Sequence, residues 1–400
     1  MIDSPTCCGS FTFVLAAICL STIFVNQECM KLIFRIVLKT NLTSVMLSVA
    51  LMASLSVSSV AQATLWSQIH PNAVSEEECT TVDLRPAFGP ARNQGNIGWC
   101  YANVTADLLS FKYRTELHGE RVSSGFTALT FNHVNAKAAL TEGGYVDRAV
   151  QATASEGLCP ESLEQEVMGA GPKMRIKQKL ESFIAFKKIY DRARLDPKLL
   201  PAFRKQLVSY RDSKSALFTL KQDEMFSLLR NTTVDNFPLE FGRLLCRGHR
   251  VEATGPAPVM ISRDKEDFGG FANKLAPSIH RQLEDGQPVA IGYAAQFLNN
   301  ANVPDWRFSW HRLINLQNDP VSRHASMIVG RRLDPSNKRC EFILRNSWGT
   351  SCSVYQNPYF KKHCEAGHLF VPETFLETQM YRVLFFDNSF IKPLFSLGNG

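Results

Sequence analysis

The sequence predicts an α+β fold in which helical and strand-rich parts follow one another along the chain. Apolar residues recur at helical spacing after Cys100, a pattern typical of a core helix. Two apolar runs that end in glycine, 324–330 and 341–349, are typical of strands. Residues 166–268 between these parts carry apolar side chains at helical spacing, so we expect a mostly helical segment there.

The N-terminal region reads as a targeting segment. Basic residues follow Met30, an apolar run covers 45–57, and small residues end the pattern at Ala63. This order predicts a secretory signal peptide that begins at Met30 and is cleaved after Ala63. The mature chain would then begin at Thr64, have no membrane span and be secreted, periplasmic or extracellular. An earlier apolar run, 11–25, could instead be an N-terminal membrane anchor. However, it lacks a basic flank and is shorter than the ~20 residues of a spanning helix.

The cysteine count predicts a disulfide pattern for the exported chain. Eleven cysteines occur in the chain, and seven of them follow the predicted cleavage site. An odd number in an exported protein predicts three disulfides and one free thiol. Cys100 is the candidate for the free thiol, and Cys352 with Cys364 could close a local loop. The connectivity is otherwise open.

Cys100 follows a glycine-punctuated turn and begins a helical pattern. Gly95 and Gly98 give the backbone the freedom that a tight turn needs. The N-terminus of a helix favours a thiolate over a thiol, and its unpaired amides can stabilise an oxyanion. The side-chain amide of Gln94 is placed to add a second donor. A structural cysteine on a core helix explains this segment alone equally well.

A thiolate nucleophile needs a histidine from another part of the fold, and His324 begins the first strand-like run. Asn346 ends the second run and could accept a hydrogen bond from the imidazole. Trp348 could shield that bond from water. A histidine satisfied within the core and a strand that ends in a turn are the simpler explanations of the two segments.

Together these blocks resemble the papain family of cysteine peptidases. Gln94 stands six positions before Cys100, a His324-Ala325 strand follows, and the Asn346-Ser347-Trp348-Gly349 run comes last. The resemblance implies that Cys100 is the nucleophile, His324 its acid-base partner, Asn346 the group that orients the imidazole and Gln94 an oxyanion donor. It also implies that Gly143, Gly144 and Trp348 contact the substrate.

The same resemblance implies a two-lobed papain-like fold with a peptide-binding cleft between the lobes. We expect a targeting region at 1–63, a helical half at 64–165, a basic helical insertion at 166–268 and a strand-rich half at 269–400. The expected activity is peptide hydrolysis through an acyl-enzyme, with peptide or protein substrates. The resemblance implies no cofactor and no metal, and the Cys-x-x-Cys spacing of zinc sites does not occur in the sequence.

Four positions depart from the family pattern. Ile97 replaces a common disulfide cysteine, Trp99 a small residue and Tyr101 a tryptophan. Trp99 could narrow the cleft. Arg323 stands directly before His324, where the family generally has Asp or Asn. This position lies beside the family's pocket for the second substrate residue, so the side-chain preference of that pocket is in doubt.

The predicted insertion is strongly basic. Residues 173–250 hold 18 Lys or Arg and 8 Asp or Glu, a surplus larger than the net charge of +7 for the whole chain. Such a field could attract an anionic surface or an acidic partner, although a solvated face of amphipathic helices is the simpler explanation. The insertion could also act as a lid over the cleft, because the 36 residues between Thr64 and Cys100 are too few for a long inhibitory propeptide.

Two other functions stay open at this point. A catalytically silent binding protein on a peptidase scaffold would use the insertion to hold a partner. A transglutaminase-like acyl transferase would share the cysteine and histidine but typically orients the imidazole with Asp, and Asn346 favours the peptidase.

Overall fold

The structure of the chain is a computed structural model, and it describes seven stretches: residues 79–136, 142–168, 173–212, 222–262, 275–299, 323–336 and 338–387. All of them belong to the second of two units, residues 1–69 and 70–400. The predicted signal peptide and the predicted start at Thr64 lie outside the described residues. No described helix is long and apolar enough to cross a membrane.

The described residues form twelve α-helices, most of them in the first two thirds of the chain. In chain order they are α1 (Cys100–Lys112), α2 (Ser124–Ala136), α3 (Val146–Glu156), α4 (Glu161–Met168), α5 (Lys173–Leu195), α6 (Leu200–Asp212), α7 (Gln222–Asn231), α8 (Phe237–Leu245), α9 (Leu275–Glu284), α10 (Gln296–Asn299), α11 (Pro358–Lys362) and α12 (Glu373–Gln379).

Eight strands form one antiparallel sheet. They are β1 (Val82–Asp83), β2 (Val259–Ser262), β3 (Val289–Ala294), β4 (Arg323–Leu333), β5 (Cys340–Arg345), β6 (Cys364–Glu365), β7 (His368–Pro372) and β8 (Met380–Phe385). The spatial order is β2-β8-β3-β4-β5-β7-β6. Strand β1 pairs with Gly330 and Arg331, near the C-terminal end of β4. The predicted mixed class of helices and strands is confirmed, with an antiparallel sheet.

Helix α1 lies between two hydrophobic cores. Tyr101 and Ala102 pack into a core that the helices build among themselves, whereas Val104 and Leu108 face the sheet. Alternate residues of β4 meet them, as the period of two along a strand requires. The other sheet face packs against α9 and α12. Helix α1 is therefore held on both sides, and its first residue reaches the start of β4.

The helices of 173–245 are part of this helical core. Ala193, Phe203 and Phe241 are buried in it beside residues of α1 and α2. Gly242 lets α8 approach α2, because a Cβ there would lie 3.0 Å from the Phe126 ring. Strand β2, also within the predicted insertion, adds an edge to the sheet by pairing with β8. The boundaries 166 and 268 stay a prediction.

Trp99 also belongs to the helical core. Its side chain is 1% exposed and packs with Ile97 and Tyr101. The expectation that Trp99 narrows a cleft is therefore wrong, since the ring points into the core.

Three disulfides and one free cysteine are present in the described part of the chain, as cysteine counting predicts. The pairs are Cys79–Cys340, Cys159–Cys246 and Cys352–Cys364, and Cys100 is free. Only the third pair closes a local loop; the other two join segments that are 261 and 87 residues apart in sequence.

Candidate active site

Cys100 is the first residue of α1, where the sequence places it. Its Sγ accepts hydrogen bonds from the backbone N–H groups of Tyr101 and Ala325 and from the His324 side chain. Burial on its own would raise the pKa of the thiol, but the His324 charge and these donors outweigh it and lower the pKa below its ordinary value. The site therefore favours a thiolate, the nucleophilic form of cysteine.

His324 lies on β4 directly before Ala325. Its Nε2 is 2.8 Å from Asn346 Oδ1, which leaves Nδ1 to face the sulfur. Burial would lower the pKa of His324, but the adjacent Cys100 thiolate and the two hydrogen bonds raise it. The opposite shifts of the two groups describe one thiolate-imidazolium pair held in a buried place.

Asn346 follows β5 and is held from several directions. Its Oδ1 also accepts from the Ser347 N–H at 2.8 Å and from Ser326 Oγ at 3.2 Å. Its Nδ2 donates to the Tyr355 hydroxyl at 3.2 Å, and Tyr293 completes the chain with its hydroxyl 2.9 Å from Ser326 Oγ. Because each polar atom has a partner, the amide is fixed with its oxygen toward the imidazole.

The aromatic ring of Trp348 covers this arrangement. Its centre lies 5.3 Å from that of His324 and 5.5 Å from that of Tyr355. Tyr293 packs against the imidazole with its edge, at 5.7 Å between ring centres. These rings enclose the His324–Asn346 hydrogen bond and exclude competing water. The structure thus places Trp348 against the histidine.

Gln94 is held in the turn before Cys100 by a short pairing with the loop after Asn346. Its backbone N–H donates to Ser347 O at 2.8 Å, and its Oε1 accepts from Ser347 Oγ at 2.5 Å. Its Nε2 donates to Ile97 O at 2.8 Å, which uses one of the two amide protons. No described residue accepts from the Cys100 N–H, as expected for the first residue of a helix. One Gln94 amide proton and the Cys100 N–H are therefore left as donors in the segment 94–100.

Gly143 and Gly144 lie next to the turn before Cys100. The Gly143 N–H donates to Gly98 O at 2.7 Å, and Gly143 has a φ of +84°, which favours glycine. A Cβ at Gly144 would lie 2.8 Å from the Phe131 ring. Both glycines are exposed, so an extended ligand could reach their backbone groups.

A buried ionic cluster joins the three segments of the site. The Asp107 carboxylate, on α1, contacts Arg92 Nε at 2.7 Å and Arg345 Nε at 2.8 Å. Burial would raise the Asp107 pKa, but these guanidinium groups and Arg121 hold it below its ordinary range. Arg92 is two residues before Gln94 and Arg345 directly precedes Asn346, so one carboxylate ties the three segments together.

Sequence reasoning named seven residues of this site, but it did not find the residues that hold them in place. Ser326 stands two positions after His324, a spacing that puts both on one face of β4 and that could have been noticed. Tyr293, Tyr355 and Asp107 come from separate segments, and nothing in their local sequence marks them. Among the described residues, no group of three or more His, Cys, Asp or Glu could hold a metal ion.

Comparison with models of known protein families gave no match. No curated protein matches the sequence either.

Solved structures give weak matches. Xylellain, a cysteine protease from Xylella fastidiosa, is 14% identical, with a TM-score of 0.41 over 80% of this chain and 88% of that one. Digestive procathepsin L 3 of Tenebrio molitor larval midgut is 15% identical, with a TM-score of 0.37 over 75% and 68%. Recombinant stem bromelain precursor is 14% identical, with a TM-score of 0.40 over 79% and 75%. Likeness at this level carries no functional conclusion for this chain, which has to come from its own residues.

Proposed function

We propose that the protein is an exported cysteine peptidase that cleaves peptide bonds with Cys100 as nucleophile. The observation that carries this proposal is the hydrogen-bonded series Cys100, His324 and Asn346, in which the pKa of the thiol is lowered and that of the imidazole is raised. Among the cysteines of the described residues, Cys100 is the free one beside three disulfides. A cysteine kept solely for packing requires neither an imidazolium nor a fixed amide behind it.

In the first half of the reaction, the Cys100 thiolate attacks the carbonyl carbon of the scissile bond. The negative charge moves to the carbonyl oxygen, which accepts hydrogen bonds from the Cys100 N–H and the Gln94 side-chain amide. His324, as imidazolium, gives its proton to the leaving nitrogen, and the C–N bond breaks. An amine leaves, and a thioester remains on Cys100.

In the second half, neutral His324 takes a proton from water, and the resulting hydroxide attacks the thioester carbonyl. The C–S bond then breaks, the carboxylic acid leaves, and the thiolate-imidazolium pair is restored. Asn346 keeps the imidazole in one orientation through both steps. Ser326 and Tyr355 keep Asn346 in place, and Trp348 keeps water away from its hydrogen bond.

Covalent labelling with mass measurement tests the proposal. The exported protein is treated with a cysteine-directed epoxysuccinyl probe, and its intact mass is compared with that of Cys100→Ala. We expect one label at Cys100, a mature chain that begins at Thr64 and a mass six hydrogens below that of the fully reduced chain. Peptide hydrolysis should be lost in Cys100→Ala.

Three further outcomes separate the possible functions. A correctly processed and folded protein that takes no label and cleaves no peptide would favour the silent binding protein, and the basic helices would become the place to look for a partner. Transfer of an acyl group to an added amine in preference to water would favour the acyl transferase. A start other than Thr64 would change the export hypothesis and leave the chemistry intact.

A further inference from the structure

Two tyrosines and three arginines lie together on the elements that border Cys100. Arg382 on β8 and Arg148 on α3 both contact the Tyr145 ring, with their Cζ atoms 5.3 and 5.1 Å from its centre. Tyr145 directly follows Gly144 and is 46% exposed. An aromatic ring in contact with two cations therefore follows the glycine pair.

The second tyrosine comes from a bulge in β8. Gly292 pairs with Arg382, and the register shifts at the next residue, which makes Tyr381 the extra residue of the bulge. Its ring folds over Gly292, because a Cβ there would lie 2.8 Å from it. Gly292 also pairs with Ala325, whose N–H donates to the Cys100 sulfur. The Tyr381 ring is thus one strand away from the residue that contacts the nucleophile.

Arg323 supplies a third cation, as the exposed first residue of β4. Burial raises the pKa of the Tyr381 hydroxyl to about 12, while the positive charges of Arg323 and Arg382 act against this rise. Arg323 pairs with Ala294, and Ala325, two residues further along β4, pairs with Gly292, so Arg323 and the ring over Gly292 belong to the same face of the sheet. We call Arg148, Arg323 and Arg382 the guanidinium cluster.

The charge of the guanidinium cluster is poorly compensated within the described ranges. Arg323 and Arg148 form no hydrogen bond or ion pair with any described residue. Arg382 contacts the Asp147 carboxylate at 3.5 Å, the outer limit of a hydrogen bond, and its Nε has no partner. Within the described ranges, the ion pair recorded for these three guanidinium groups is this long contact between Arg382 and Asp147, at a partly exposed place beside the proposed nucleophile.

We propose that the guanidinium cluster, with Tyr145 and Tyr381 as apolar walls, binds a carboxylate of the peptide substrate near the scissile bond. The inference rests on the proposed peptidase function and adds its substrate class, acidic peptides. Guanidinium donors bind a carboxylate more strongly than any neutral side chain. The aromatic walls displace water and so reduce screening of the charges. An acidic side chain or the C-terminus of a short peptide could supply the carboxylate.

Matched peptides with amidated ends test the first source. At each of three positions on either side of the scissile bond, Glu is compared with Gln. Because a hydrogen bond to a charged group contributes about 1.5–3 kcal/mol, we expect kcat/KM to favour Glu about tenfold or more at one position. A second set compares free and amidated C-termini, so a preference for the free end identifies the terminus as the source.

Two Arg323 variants and one control assign the preference to the guanidinium cluster. Arg323→Gln should reduce the preference for the carboxylate several-fold, and Arg323→Glu should turn it toward Lys at the same position. Arg281→Gln is the matched control, since Arg281 is an exposed arginine on α9, which packs on the opposite sheet face. It should keep the wild-type preference. Single labelling of Cys100 by the epoxysuccinyl probe checks that each variant is folded.

Binding to Cys100→Ala separates this inference from the proposed function. Fluorescence anisotropy with the same labelled peptides needs no catalysis. Tighter binding of the acidic peptide without any cleavage by the wild-type protein would refute the peptidase proposal and support the carboxylate site. Equal binding and equal cleavage of acidic and amide peptides, with free or blocked ends, would overturn the carboxylate site alone.

Discussion

The buried cluster around Asp107 gives the sharpest test of the structure. Asp107→Asn keeps the shape of the side chain but removes the charge that faces Arg92 and Arg345, whose side chains are each 2% exposed. Arg92 keeps Glu161 at 2.7 Å. Arg345 keeps Pro90 O at 2.8 Å and His368 at 3.3 Å, but no carboxylate of the described residues.

The magnitude follows from the loss of one partner of a buried ion pair. Such a change typically costs about 3–5 kcal/mol, because a buried charge is left uncompensated. We therefore expect the free energy of unfolding of Asp107→Asn to fall by about that amount at pH 7. Unfolding in urea with the disulfides intact, followed by tryptophan fluorescence, measures it.

Glu166→Gln is the matched control. Glu166 pairs with Arg247 at 2.7 Å, and the two side chains are 54% and 45% exposed, so the loss of this ion pair should cost no more than about 1 kcal/mol. A cost for Asp107→Asn no larger than that of the control would refute the reasoning about the buried cluster.

The pH dependence gives a second reading of the same variant. Because the folded-state pKa of Asp107 is held below its ordinary value, its stabilising contribution is present in full above the unfolded pKa of about 4 and is lost as the pH falls below it. The gap in stability between wild type and Asp107→Asn should therefore stay constant from pH 7 to about pH 5 and close in stronger acid.

Three further predictions concern the site. Alkylation of Cys100 by iodoacetamide should reach its half-maximal rate at a lower pH than alkylation of a free thiol, because the pKa of Cys100 is lowered. In His324→Gln the half-maximal rate should move to a higher pH, since burial alone raises the thiol pKa, and an unchanged profile would contradict the ion pair. Asn346→Ala should lower kcat/KM about 10- to 100-fold, because one hydrogen bond to a charged group is lost. Substrate binding, measured on the Cys100→Ala background, should stay unchanged. A fall in binding alone would argue against an orienting role for Asn346. Gly144→Ala should lower the free energy of unfolding by about 1–3 kcal/mol, because its Cβ would lie 2.8 Å from the Phe131 ring. Urea unfolding measures this change. A midpoint equal to that of the wild type would show that the Phe131 ring moves aside without cost.

The local sequence determined the parts of the site whose signals are short in range. A glycine-rich turn before helix-spaced apolar residues predicts that a helix begins near Cys100, and α1 begins at that residue. The two glycine-ended apolar runs correspond to β4 and β5. Counting cysteines predicts three disulfides with Cys100 free, because pairing in an exported protein depends on number as well as on position.

Only the tertiary structure decided which distant groups meet. The pairing of Cys79 with Cys340 depends on how β1 and β5 are placed by the sheet, and no local pattern encodes a separation of 261 residues. No local pattern marks Tyr293 and Tyr355, which support Asn346 from separate segments. Asp107 is likewise unmarked in the sequence.

The guanidinium cluster could not be predicted from the sequence either. In the sequence, Arg323 is a departure from a family pattern and Arg382 one arginine among many. Their approach to one tyrosine ring depends on the bulge in β8 and on the absent side chain of Gly292. Backbone hydrogen bonding and helix periodicity act over a few residues, so the sequence alone determined the elements and the chemistry they carry. Burial and charge act through space, so the fold decided which of those residues share one site.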